Sequence, residues 1–170
     1  EPKTKITLIL GLTQREKFEF ILQKCTEIGV SRFLPVTTSR SLLQKTNNIS
    51  DKYPRWRKIL QESAEQSHRG KIPALLNSVG YSTAISQISA ENGLKLVLWE
   101  EEADRGLQEI IQNDTGDHIT LLVGPEGGLS SAEVDLAKQA GFISVSLGNR
   151  ILRMETAAMI ASALVVYEKG

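Results

Sequence analysis

The sequence is poor in the features that mark secreted, membrane-spanning and metal-binding proteins. Its single cysteine, Cys25, excludes an intramolecular disulfide and any multi-cysteine zinc site, and suits a reducing compartment. No apolar run approaches the ~18 residues of a membrane span. Two histidines, with no spacing typical of metal ligands, leave a metal site without support. Glu1-Pro2-Lys3-Thr4 leads straight into a strand-like run with no signal-peptide pattern, and the missing initiator methionine is expected of a piece trimmed from a longer chain. Two nucleotide signatures are also missing. There is no G-x-x-x-x-G-K-[ST] of a P-loop NTPase, and the first strand ends in Gly11-Leu12-Thr13 rather than the glycine loop of an ordinary dinucleotide fold. Net charge is absent too, with 20 Lys and Arg against 20 Asp and Glu, which taken alone argues against a polyanionic partner.

What is present is a 170-residue chain, 41% hydrophobic, enough for one packed domain. Its neutrality hides a split. Residues 1–85 carry 14 basic and 7 acidic side chains, whereas residues 86–170 carry 6 and 13. The cations concentrate between Arg40 and Lys71, interleaved with Trp56. That pattern suits a nucleic-acid backbone with a base available for stacking. It reads equally as a solvated helix face with Trp56 turned to the core. His118 reads as structural, Cys25 as a small hydrophobe, and Glu100-Glu101-Glu102 with Asp104 as a solvated loop.

Strand-like and helix-like segments alternate along the chain. Lys5–Leu10, Phe33–Val36, Lys95–Trp99, Ile119–Val123 and Phe142–Leu147 have strand character, and Ala74–Val79 is a weaker candidate. Thr13-Gln14-Arg15-Glu16 and Ser130-Ser131-Ala132-Glu133 both fit capping boxes. Phe18, Ile21, Leu22, Cys25 and Ile28 form the buried face of a helix stopped by Gly29. Further helices are expected over Pro54–Arg69, Thr83–Ile88, Gly106–Gln112, up to Ala140, and Glu155–Tyr167. The last is apolar nearly all round, implying burial on more than one side. The polar stretch to Asn48 is expected to be a loop. Such alternation predicts an α/β domain: a mostly parallel sheet with helices on both faces.

In parallel sheets, ligands bind beyond the carboxyl ends of the strands. Two glycine turns fall there: Gly124-Pro125-Glu126-Gly127-Gly128 after Ile119–Val123, and Gly148-Asn149-Arg150-Ile151-Leu152-Arg153 after Phe142–Leu147. One such turn is an ordinary tight connection; two at successive strand ends tip the balance towards a ligand.

Extended to Ser130 and to Ala158 (ILRMETAA), these turns closely resemble the paired C-terminal motifs of the RsmE family, small-subunit ribosomal RNA methyltransferases of the SPOUT superfamily. The resemblance continues through Gln23–Val30 (QKCTEIGV), Arg40 in Ser39-Arg40-Ser41, and Trp56 with Glu62–Arg69, and so covers nearly the whole chain. Cys25, Asn149 and Met154 depart from the usual residues. The resemblance implies a C-terminal deep trefoil knot, a homodimer packed through it, and S-adenosylmethionine-dependent methylation of N3 of a uridine in 16S ribosomal RNA. It also implies an N-terminal PUA-like RNA-binding domain, which these residues do not include. By family similarity, Leu98, Trp99, Glu100, Leu122, Val123, Gly124, Pro125, Glu126, Gly127, Leu147, Gly148, Ile151, Leu152 and Thr156 would line the cofactor pocket.

Methylating N3 requires loss of a weakly acidic proton. A cation near the uracil oxygens would stabilise the anion, with Arg153 first in line and an RNA phosphate as its alternative partner; Glu126 or Glu155 would serve as base, or equally would orient a loop or the cofactor. Substrate RNA is expected along Lys17, Lys24, Arg40, Arg55, Arg57, His68 and Arg69. A cytoplasmic enzyme that needs neither metal nor membrane is expected. Two other readings stay open: a 2′-O-ribose transfer-RNA methyltransferase of the same superfamily, and a non-catalytic RNA-binding or assembly module.

Overall fold

The structure is a computed structural model that describes residues 1–41 and 49–170. Lys45 and most of the expected loop up to Asn48 lie outside the described residues. The chain forms β1 (Lys5–Gly11), α1 (Arg15–Ile28), β2 (Arg32–Thr37), α2 (Tyr53–Gln66), β3 (Ala74–Leu75), β4 (Val79–Gly80), α3 (Tyr81–Ser89), β5 (Leu94–Leu98), α4 (Leu107–Asn113), β6 (His118–Val123), α5 (Ser131–Gln139), β7 (Ile143–Val145) and α6 (Met154–Lys169). Every strand pairing is parallel, in the order β3-β2-β1-β6-β5-β7, with β4 also on β2.

Alternation along the strands sorts side chains onto two faces. Leu8, Leu10, Leu121 and Val123 pack under α1, α2, α4 and α6, whereas Ile9, Leu122 and Val97 pack under α3 and α5. Burial on both faces explains why the central strands read as unbroken apolar runs. Trp56 is 1% exposed and stacks on Phe18 (ring centroids 4.6 Å) and Tyr53 (5.2 Å), so it belongs to the core and offers no face to a nucleobase.

The expected strand Ala74–Val79 is interrupted. Its two halves pair with opposite ends of β2, and between them the Tyr53 hydroxyl donates to the Leu76 carbonyl (2.9 Å) and accepts from the Ser78 amide (2.6 Å). The Thr13–Glu16 capping box does not form. Leu12 N–H is still bonded to Val36 in the sheet, and the first helical acceptor is Gln14, so the helix starts one residue too late. The Ser130–Glu133 box does form. Helix α2 ends at Gln66 rather than Arg69, because His68 adopts a left-handed φ of 56°. Helix α6 is covered on more than one side, as expected, by α1, α4 and the sheet, while Ile160 (44%) and Tyr167 (84%), seven residues apart, face outward.

Cys25 is fully buried, and burial pushes its thiol up to about 12, so it is inert. Burial, aided by the nearby Arg32 charge, holds His118 below its usual range; its Nε2 lies 2.9 Å from Thr7 Oγ1, a structural contact. Among the described residues, no helix is long and apolar enough to cross a membrane, and no group of His, Cys, Asp and Glu is placed to hold a metal ion.

Candidate functional site

Three neighbouring strands, β6, β5 and β7, end on the same side of the sheet, and the turns that follow them enclose one cavity of about 820 Å³. That is within the range of pockets for small ligands, about 300–1,000 Å³. Leu98, Trp99 and Glu100 enter from β5, Val123 to Leu129 from β6, and Val145 to Glu155 from β7 and its turn. The walls are cross-linked. Ser146 bonds through its backbone to Arg105 (2.8 Å) and Leu107 (3.1 Å), and Trp99 N–H bonds to Val145 (3.2 Å). Lys138 lies over the Trp99 ring at 4.8 Å.

Of the residues expected to hold the cofactor, the structure gathers all but two around this cavity. Leu122 is fully buried in the core under α3 and α5, because strand alternation sends it to the face opposite Val123. Thr156 sits half-buried on α6 and does not line the cavity; its neighbours Glu155 and Ala157 do. Ile151 is at the rim, with 82% of its surface exposed. Gly148 turns the chain at φ 105°, a conformation that side-chain-bearing residues rarely adopt.

The three candidate catalytic side chains differ sharply. Arg153, at the N-cap of α6, is exposed, and no hydrogen bond or ion pair ties its side chain to any described residue. Glu126 forms an ion pair with Lys17 across the cavity mouth. Glu155 points a buried Oε2 that has no partner among the described residues. The residue lines the cavity, and a buried acceptor without a partner marks a place where a proton or a small rotation of the carboxylate can be accommodated. Glu100, Glu102, Glu126 and Glu155 give the lining an acidic cast against Lys17, Arg150 and Arg153.

The cations expected to track RNA do not form one free surface. Arg69 is turned inward: its side chain is only 7% exposed, donates to the Thr26 (2.9 Å) and Val30 (2.7 Å) carbonyls, and pairs with Glu1. It serves to tie the N-terminus and the α1–β2 connection together. Lys24 pairs with Glu27 (2.9 Å) on its own helix, and Arg55 grips Glu19 with two bonds (2.7 and 2.9 Å) that hold this carboxyl below its usual range. Arg57 lies 5.7 Å from the Tyr53 ring centre, and His68 is exposed. Arg40 bonds to the cavity wall itself, at the Gly127 carbonyl (3.0 Å). Arg150, exposed beside Ile151 at the rim, was not singled out from the sequence, although it stands in the second glycine turn.

Two supporting features also escaped the sequence reading. Gly11 ends β1 so close to the first glycine turn that a Cβ there would meet Pro125 N at 2.5 Å. Glu133 accepts bonds from Ser39 N (2.8 Å), Ser39 Oγ (3.0 Å) and Ser130 N (2.8 Å). Partial burial raises its carboxyl, but these bonds outweigh it and leave the group below its usual range.

Comparison with known proteins bears on this site. The family model of an RNA methyltransferase domain matches residues 1–166. The chain is 36% identical over 160 residues to ribosomal RNA small subunit methyltransferase E of Mesomycoplasma hyopneumoniae, covering 94% of this chain and 68% of the relative. It is 31% identical over 170 residues to the protein of the same name from Bacillus subtilis, covering 96% of this chain and 66% of the relative. A crystal structure of ribosomal RNA small subunit methyltransferase E from Neisseria gonorrhoeae bound to S-adenosyl methionine superposes with a TM-score of 0.84 at 32% identity, covering 96% of this chain and 65% of that one. The chain thus spans about two thirds of the length of these relatives.

Proposed function

Because this chain belongs to the RNA methyltransferase family, in the branch of ribosomal RNA small subunit methyltransferase E, we propose that it methylates N3 of a uridine in small-subunit (16S) ribosomal RNA, using S-adenosylmethionine. The observation that carries this reading is the cavity built from the turns after β6, β5 and β7, lined by Arg153, whose side chain has no partner among the described residues, and by Glu155.

The residues present fit that cofactor. Backbone donors and acceptors of the 124–128 and 146–152 turns suit an adenosine, and the acidic lining complements a sulfonium. When bound, S-adenosylmethionine supplies an electrophilic methyl group. The chain's own residues do the rest. The Glu155 carboxylate takes the N3 proton, a task for which Glu126 is less suited while paired with Lys17. The Arg153 guanidinium faces the uracil oxygens and stabilises the negative charge that proton loss leaves there. RNA reaches the cavity along the rim formed by Arg150, Ile151 and Arg153, with exposed Arg57 and His68 as outlying contacts.

The test is incubation of the protein with labelled cofactor and small subunits lacking the modification. Label mapped to uridine N3 by mass spectrometry supports the proposal. Label on a ribose 2′-hydroxyl would give the reaction to the transfer-RNA-type alternative, and no cofactor binding at all would leave a non-catalytic RNA-binding module.

Residues 1–170 form the methyltransferase domain of this proposal, working in the cytoplasm. The β5–β7 segment, laced by the Ser146 bonds to Arg105 and Leu107, is where the family's deep trefoil knot would lie. The exposed stripe of Ile160 and Tyr167 on α6 supports a homodimer packed through this end. Sedimentation is expected to give a dimer for the unaltered chain and a monomer for Ile160→Glu/Tyr167→Glu; a monomeric unaltered chain refutes it.

A further inference from the structure

The sequence groups Arg40 with the cations that would meet RNA, yet its surroundings point elsewhere. Its Nη1 donates to the Gly127 carbonyl at 3.0 Å and lies 3.5 Å from that of Leu129, two acceptors in the turn that walls the cavity. The contact is one of packing as well as hydrogen bonding: a Cβ on Gly127 would sit 3.2 Å from the Arg40 Cβ. The preceding residue is fastened to the same part of the chain, because Ser39 donates through N–H and hydroxyl to Glu133, whose carboxylate also caps α5 through Ser130. Residues 39 and 40 therefore grip both ends of the segment 127–133, and Lys17 holds its other edge through Glu126.

We propose that Arg40 is a positioning residue for the cofactor: its guanidinium holds the carbonyls of the 127–129 turn outward, so that the rest of the turn faces the cavity in binding form. The inference rests on the cavity being the S-adenosylmethionine site. Both contacts come from Nη1, whose two N–H donors are fixed in the guanidinium plane, whereas the donors of an ammonium rotate freely on a flexible stem. Within the turn, Gly128 N–H bonds to the Pro125 carbonyl at 2.8 Å.

The test compares the full chain with Arg40→Ala and Arg40→Lys in two measurements. The first is amide hydrogen exchange of the cofactor-free protein. Gly128 is expected to exchange about tenfold faster in Arg40→Ala, while amides of β1 and β6 keep their protection. The second is titration with S-adenosylmethionine, alongside RNA binding at several salt concentrations. Arg40→Ala is expected to weaken cofactor binding about tenfold, with KM for the cofactor rising and kcat kept at saturation. Arg40→Lys should recover part of that affinity, and the slope of RNA affinity against salt should stay unchanged. Unchanged Gly128 exchange with unchanged cofactor affinity overturns the proposal. So does a salt slope reduced by about one at unaltered cofactor affinity, which makes Arg40 a phosphate contact. If the unaltered protein takes up no S-adenosylmethionine, the reading of the cavity fails, while Gly128 exchange still decides whether Arg40 orders the turn.

Discussion

Arg153→Ala is expected to abolish methyl transfer to intact small subunits while leaving S-adenosylmethionine affinity within a few-fold of the unaltered protein. The side chain is exposed, and no described residue bonds to it, so its removal leaves no buried partner unsatisfied and no cavity. Its backbone stays in place as the N-cap of α6 and still accepts the Ala157 amide at 2.8 Å. What disappears is positive charge at the rim, where the uracil oxygens carry the charge left by the N3 proton. Preorganised donors of this kind are worth roughly 10²–10³ in rate singly, and more where no other cation stands close by. Arg150 is the nearby cation in sequence, and Arg150→Ala serves as the comparison. If Arg150 meets phosphate and Arg153 meets the base, the first substitution lowers the salt slope of RNA binding and the second lowers kcat. Turnover by Arg153→Ala equal to that of the unaltered protein would remove Arg153 from the mechanism.

The parallel sheet was legible because its central strands are buried on both faces and so appear as KITLIL and ITLLV without polar interruption. The site was legible as two glycine turns because their position after strands sets where they fall. What sequence could not supply was the partner of each charge. Arg69 and Arg57 look alike in a stretch of cations, yet one is sealed against two carbonyls and Glu1 while the other is exposed, over the Tyr53 ring. Thr13 and Ser130 both head capping-box patterns, but Thr13 is still within reach of the sheet, where Leu12 bonds to Val36, and only Ser130 is released into a helix. Leu122 and Val123 stand side by side at the end of one strand, yet strand alternation sends them to opposite faces, and only Val123 reaches the cavity. Helix α6 showed its apolar surface all round in sequence; which side the same chain covers depends on tertiary packing, and Ile160 and Tyr167 are left outside.

Gly11→Ala is expected to damage the cofactor site from outside it. Gly11 does not line the cavity, and its strand lacks the glycine loop of ordinary nucleotide folds. A methyl group there would nevertheless stand 2.5 Å from Pro125 N, 2.6 Å from Pro125 Cδ and 3.0 Å from Gly124 C. These are backbone and ring atoms, which cannot swing aside as a flexible side chain would, so the first glycine turn must move. Gly11 pairs with Val36 in β2 and belongs to a strand bonded on both sides, so β1 is the less able of the two to yield. Overpacking of this kind costs about 1–3 kcal/mol of stability. If half of that appears as displacement of the turn, cofactor binding weakens by roughly two- to tenfold, since about 1.4 kcal/mol is a factor of ten. Gly70→Ala is the control, because nothing lies within 4 Å of the Cβ it would introduce. Thermal unfolding and cofactor titration of the two variants should therefore part company. An Ala at position 11 that leaves both midpoint and affinity unchanged would mean that the close approach of β1 to the 124–125 turn does not set the shape of the cavity.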